Sequence, residues 1–258
     1  MALRPDPHAW HLLSWVVVTN RRPKLLDVAL KSILETQMPD RWSREIIVIH
    51  DEDDLAATDI VSARNQGGEL LRGTASKHEG AARKRNLGLG WCRGELLCVA
   101  DDDDIQSPYR ARQAITAYMA GHIISSVRTF RTLHLSTGDL VRWTAYREDG
   151  ANGTITGRAR NYATDSVRAV GGWNTEFARG IDSDLTTRLR KKYEIDEFDL
   201  GRDQAESFVC IQHAKNVWPR PVVSKDRSIR HGGYMLHGEG HYSLAANVPP
   251  LVQEVMSP

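Results

Sequence analysis

Glu95-Leu-Leu-Cys-Val-Ala100 runs straight into Asp101-Asp-Asp-Asp104, with Ile105 and Pro108 close behind. The short apolar run has the character of a buried strand. The four aspartates place a polar cluster where that strand ends, and Pro108 begins a helix reaching about Ala120, before Gly121. Upstream, Trp15-Val-Val-Val-Thr19 and Ile46 to Ile49 read as two further buried strands, which end in Thr19-Asn-Arg-Arg22 and His50-Asp51. Between the strands, Pro23 opens a helix whose Leu25, Leu26, Ala29, Leu30, Ile33 and Leu34 recur at helical spacing. A helix over Leu55 to Arg64, a short strand around Leu70 and a glycine-bounded helix from Gly80 to Gly90 complete the alternation. Strand and helix in turn predict an α/β fold, with a mostly parallel central sheet, right-handed crossovers and helices on both faces. In such a sheet ligands bind beyond the carboxyl ends of the strands, which is where the three polar clusters fall.

The second half is less regular. Ile123 to Leu135, Leu140 to Ala145 and Phe208 to Gln212 read as strands of a smaller, mixed sheet, and Ser183 to Lys192 as a helix. Arg147 to Arg160 is polar and glycine-rich, a loop pattern, and beyond about Arg220 no period is visible, so a wrapping tail or lid is expected over 220–258. A chain of 258 residues, 41% hydrophobic and 26% charged, has the composition of a globular domain and excludes fibrous or wholly disordered architecture. Lys+Arg 34 against Asp+Glu 33 argues against a protein whose main affinity comes from neutralising phosphates. Leu12 to Val18 is too short to span a bilayer, so neither a transmembrane segment nor a signal peptide is expected. Cys92, Cys98 and Cys210 form no CxxC pair, and the expectation is a reduced, cytoplasmic protein.

Four adjacent aspartates in one concavity repel one another unless a cation is present. Oxygen-only ligands suit Mg²⁺ or Mn²⁺, which also bind phosphates. Position and composition alone leave such a metal–phosphate site and a solvated acidic turn standing side by side. The pair that would act is equally open: Asp101 with Asp103, or Asp102 with Asp104.

Taken in order, Val16-Val-Val-Thr-Asn-Arg-Arg-Pro23, Ile47-Val-Ile-His-Asp51, Gly80-Ala-Ala-Arg-Lys-Arg-Asn-Leu-Gly88 and Leu97-Cys-Val-Ala-Asp-Asp-Asp-Asp104 resemble the nucleotide-sugar half of a family 2 glycosyltransferase of the GT-A fold. Gly171-Gly-Trp173 with Gly180-Ile-Asp-Ser-Asp-Leu185 and Arg188 is similar to the family's acceptor-side segment, and Ile211-Gln-His-Ala-Lys-Asn216 to the late strand that supplies a histidine to the metal. The match covers roughly residues 14 to 218.

The resemblance implies a metal-dependent, inverting transfer of a sugar from a nucleotide-diphosphate donor to an acceptor hydroxyl, with Mn²⁺ or Mg²⁺ as cofactor. Thr19 and Asp51 would line the nucleobase and ribose pocket, although Thr19 reads equally as a strand end and Asp51 as a helix cap. Arg85 would approach the base or diphosphate, with Asn86 holding the loop. The family register places Asp101 and Asp102 with the donor and Asp103 on the metal, beside His213; His231, His237 and His241 are rivals for that last place. Asp182 would be the catalytic base, taking the proton of the acceptor hydroxyl. The family has Glu-Asp here and this chain Ile181-Asp182, which weakens any inference about the acceptor. Asp184 reads as an N-terminal acid of the helix. Trp173 and Trp218 would form a stacking wall for an acceptor ring, or else belong to the core.

The implied organisation is one GT-A domain over 1–219, with a donor half at 14–120 and an acceptor half at 121–219. Uridine is the family's commonest base. The acceptor hydroxyl could belong to a glycan, a metabolite or a protein. A modified nucleic-acid base, tracked by Arg142, Arg147, Arg158 and Arg160, is the minority reading because net charge is near zero. Two rivals are a sugar-phosphate nucleotidylyltransferase, which wants glycines after the first strand, and a non-catalytic module on the same scaffold. Gly88-Leu-Gly90 lacks the third glycine of a dinucleotide fingerprint.

Overall fold

A computed structural model describes residues 5–65, 70–75, 79–127, 129–135, 140–147, 159–195, 197–200, 208–212, 228–231 and 234–242. In chain order the elements are β1 (His11–Val18), α1 (Pro23–Leu34), β2 (Trp42–Asp51), α2 (Leu55–Arg64), β3 (Leu70–Ala75), α3 (Ala81–Trp91), β4 (Leu96–Asp101), β5 (Asp104–Gln106) and α4 (Arg110–Met119). The second half adds β6 (Ile124–Ser126), β7 (Thr129–His134), β8 (Leu140–Arg147), β9 (Asn161–Ala163), α5 (Thr164–Ala169), α6 (Ile181–Tyr193), β10 (Phe198–Asp199), β11 (Phe208–Gln212), β12 (Ser228–His231) and β13 (Tyr234–Tyr242).

One sheet runs β10-β6-β9-β4-β1-β2-β3 and the other β12-β13-β8-β7-β11-β5. In the first, β4, β1, β2 and β3 are mutually parallel, and β9 enters antiparallel between β4 and β6. The order steps outward from β1 through β2 to β3 and then returns to β4 on the other side. That reversal opens a crevice at the carboxyl ends of β1 and β4. Register makes the crevice level, because Val18 lies opposite both Ile49 and Asp101.

Side-chain alternation along β1 divides the core between the two faces of this sheet. Leu13, Trp15 and Val17 pack with Leu26, Leu30, Ile33, Ala111 and Ile115 on one side. Val16 and Val18 pack with Leu89, Trp173, Leu185 and Leu189 on the other. Burial on both faces is why the strands read as unbroken apolar runs. On the second face α3 lies unusually close: a Cβ at Gly88 would sit 2.6 Å from Val16 Cγ1. Only a residue without a side chain allows that approach, and this is the role of Gly88 in α3.

The tetrad joins the two sheets. Asp101 ends β4 in the first and Asp104 begins β5 in the second, where Cys210 of β11 lies opposite it. The expectation of an aperiodic tail needs correcting in part: β12 and β13 form a hairpin that pairs with β8, with a register shift between Glu239 and His241. A strand pair at a sheet edge needs no strong period when backbone bonding supplies its cohesion.

Candidate active site

Each group at the site sits at the end of an element, where main-chain geometry fixes it. The Lys84 ammonium, 3% exposed on α3, forms an ion pair of 2.7 Å with Asp51 Oδ1 and donates to the carbonyl of Thr19 at 2.8 Å. It thereby ties the carboxyl ends of β1 and β2 together. Asp51 does not cap the next helix; Asp54 does, accepting from the Ala57 N–H at 3.1 Å.

A second knot forms around the tetrad. Thr19 Oγ1 donates to Asp102 Oδ2 at 2.6 Å and Arg22 Nε donates to the same oxygen at 2.9 Å. Arg22 also pairs with Asp102 Oδ1 and, at 3.2 Å, with Asp103 Oδ2. Asp102 has no exposed surface, and burial pushes its carboxyl up to about 7 against the pull of Arg22. The hydroxyl of Thr19 is therefore turned inward onto the tetrad instead of lining a base pocket. The Ile211 N–H donates to the Asp103 carbonyl at 2.8 Å, so β11 is fastened to the same turn.

The third cluster joins α3 and β4 to the head of α6. Arg85 Nη2 donates to Asp101 Oδ1 at 2.7 Å, and Arg85 Nη1 lies 2.8 Å from both oxygens of Asp182. The Trp173 indole N–H donates to Asp182 Oδ1 at 2.9 Å. Burial alone would raise the Asp182 carboxyl; Arg85 first, then Arg160 and the Trp173 N–H, outweigh it and hold the group below its ordinary 3.8. Arg85, Val99, Asp101, Asp104, Ala159, Arg160 and Asp182 line one small, half-open cleft.

The geometry revises several assignments. Trp173 is 1% exposed and its ring meets Tyr162 edge-on at 6.2 Å, so it offers no face to an acceptor ring and instead orients Asp182. Asn86 holds the turn beneath it, bonded at 2.7–2.8 Å to both the carbonyl and the N–H of Trp173. Asp184 does lie in the first turn of α6 as an N-terminal acid, without a side-chain cap bond; it pairs with Arg188 Nη2 at 2.8 Å, and Arg188 fastens the carbonyls of Val170 and Gly172. His213 and Trp218 lie outside the described residues. Arg22, Lys84 and Arg160 take places that motif reading did not give them. Only Arg22 left a signal, standing in the polar cluster directly after β1.

The tetrad can be tested against a divalent cation. Among the described residues no three His, Cys, Asp or Glu side chains converge to hold a metal. The Asp101 side chain is 38% exposed at the cleft, and Asp103 lies two residues on with Arg22 against it. These oxygens fit a cation shared with phosphates, which needs one or two carboxylates, rather than an all-protein cage.

The family model described as Glycosyl transferase family 2 matches residues 14–161. The chain belongs to this family. Its match spans β1 through the first residue of β9 and so contains both knots around the strand ends. Similar solved structures include the mannosyltransferase PcManGT from Pyrobaculum calidifontis in complex with GDP-Man and Mn²⁺, at 15% identity and a TM-score of 0.59 over 81% of this chain and 58% of that one. S. aureus TarS residues 1–349 is also similar, at 16% identity and a TM-score of 0.59 over 77% of this chain and 60% of that one. The same TarS segment with UDP-GlcNAc gives 15% and 0.58 over 79% of this chain and 59% of that one. The family 2 chain thus spans less than two thirds of the length of these structures. At such identities the likeness is one of fold, and the fold is the GT-A arrangement of a large, mostly parallel sheet beside a smaller mixed one. No curated protein matches the chain.

Proposed function

We propose that this protein is a metal-dependent, inverting glycosyltransferase that moves a sugar from a nucleotide diphosphate to an acceptor hydroxyl. The observation that carries the reading is the Asp101–Arg85–Asp182 bridge, which joins the end of a donor-side strand to an acid at the head of α6 across one cleft. In the displacement, the acceptor oxygen bonds to the anomeric carbon as the bond from that carbon to the diphosphate breaks. The electron pair leaves with the diphosphate, and the acceptor proton passes to Asp182. A carboxylate whose affinity for protons is lowered by Arg85 is ionised at neutral pH, the state a base requires. The Trp173 N–H engages Asp182 Oδ1 alone, so the proton would pass to Oδ2 as Arg85, which holds that oxygen here, turns to the donor. Arg85 stands where negative charge develops on the leaving group.

A divalent cation held by Asp101 and Asp103 would neutralise the diphosphate as it departs. Support for such a donor and cation comes from the GDP-Man and Mn²⁺ of one similar structure and the UDP-GlcNAc of another. The base and sugar differ between them, so the donor is an experimental question, and the acceptor hydroxyl is likewise to be found among glycans, metabolites and proteins. Thermal unfolding with UDP-, GDP- and dTDP-sugars, with and without Mn²⁺, tests the reading. A stabilisation that needs both nucleotide and metal and disappears in Asp103→Ala supports it. No shift with any pair would favour a non-catalytic module on this scaffold.

A further inference from the structure

Arg160 stands on the wall of the cleft with no part in the scheme above. Its side chain is 2% exposed and its Nε lies 3.2 Å from Glu197 Oε1, whose side chain is also 2% exposed. An ion pair this deep is weak evidence for stability, since desolvation offsets most of the attraction. Yet the chain fixes it from several directions. The Arg160 carbonyl accepts from the Val99 N–H at 3.1 Å. Arg110, itself without exposed surface, donates to the Ala159 carbonyl and to Asn161 Oδ1, one residue to either side. Arg160 and Asp182 line the same cleft, and Glu197 does not.

Two cations therefore face Asp182, and they differ in kind. Arg85 is divided between Asp101 and Asp182, and a donor diphosphate at the strand ends would compete for it. Arg160 is instead clamped against Glu197. We infer that Arg160, aimed by Glu197, is a positioning residue that keeps a fixed positive field on Asp182 while Arg85 turns to the donor. This rests on the reading of Asp182 as the base. The other charged or titratable groups around Asp182 are Arg85 from α3, Asp101 from β4, Asp104 from β5 and Tyr162 from β9. Of these Arg85 lowers its proton affinity, and burial, with Asp182 in turn, raises that of the Tyr162 phenol.

The test is a carboxyl-carbon NMR titration of Asp182 in the protein without ligands, its signal assigned by its loss in Asp182→Asn. In Arg160→Gln the carboxyl is expected to titrate about one pH unit higher than in the parent, the effect of removing a nearby opposite charge. Arg160→Lys, which keeps the charge, should restore the parental value. Glu197→Gln keeps an oxygen for the guanidinium and removes a negative charge, so Asp182 should titrate no higher than in the parent. A parental value in folded Arg160→Gln would overturn the inference, and so would a titration in Arg160→Lys that stays as high as in Arg160→Gln. The base reading is tested separately, by hydrolysis of UDP-GlcNAc or GDP-Man with Mn²⁺. If Asp182→Asn hydrolyses as the parent does while the titrations behave as expected, that reading fails and the electrostatic coupling stands.

Discussion

At the scale of single residues, Asp51, Asp101, Asp102, Asp103 and Asp182 are each already matched to a cation, and the chemistry lies in which of those pairs can exchange partners. Asp182→Asn preserves the shape of the side chain and its bond to Trp173 but cannot accept a proton. Transfer should fall by about 10²–10⁴-fold while donor-dependent thermal stabilisation persists, and full turnover in this variant would remove Asp182 from the mechanism. Trp173→Phe keeps the buried ring and deletes the N–H that holds Asp182 at 2.9 Å. Its kcat should drop while the KM for donor stays near parental, as steady-state kinetics would show. Far from the cleft, Glu45 gathers the hydroxyl of Ser14 at 2.5 Å, the Arg93 N–H at 2.6 Å and Arg93 Nε at 2.8 Å. Burial alone would raise its carboxyl, but these bonds outweigh burial and hold it below 4.5. A folded value below the unfolded one means stability that is complete above the unfolded value and lost as pH falls through the folded one. Glu45→Ala should cost about 1–3 kcal/mol near neutral pH, from buried donors left without an acceptor. The difference in Tm from the parent should shrink toward about pH 3.

At the scale of elements, α3 is the part that sets the geometry. It carries Lys84 to the ends of β1 and β2, Arg85 to the cleft and Asn86 to the Trp173 turn. Its seat against β1 depends on Gly88, where a Cβ would come within 2.6 Å of Val16 Cγ1. Gly88→Ala should push the helix outward and cost about 1–3 kcal/mol, the range for overpacking a filled core. Donor-dependent stabilisation should weaken with it, because Lys84 and Arg85 move with the helix. Unchanged stability in chemical denaturation would show that β1 gives way instead. The helix was legible as an element from its bounding glycines. Its buried cations were not, because one turn of Arg83-Lys-Arg85 looks the same whether it faces water or strand ends.

At the scale of the whole molecule, the tetrad is the hinge between two sheets, with Asp101 in one, Asp104 in the other and the Asp103 carbonyl bonded to Ile211 of β11. A donor and cation bound there should slow amide exchange in β11 as well as in the tetrad, although more than a hundred residues separate them in sequence; exchange mass spectrometry that finds β11 unaffected would break that link. Among the described residues no helix is long and apolar enough to cross a membrane. What the sequence determined by itself was the alternation of buried strand and helix, the parallel sheet, and the placing of Thr19, Asp51 and the aspartates at strand ends. Those follow from local periodicity and from a rule of sheet topology. Tertiary structure decided how the charges are matched: Asp102 inward against Thr19 and Arg22, Arg85 shared between Asp101 and Asp182, Trp173 buried behind Asp182, and Arg160 clamped by Glu197. The charge matches join residues from 16 to 97 positions apart, and pairings at such separations are set by how helices and strands pack, which no local pattern in the chain encodes.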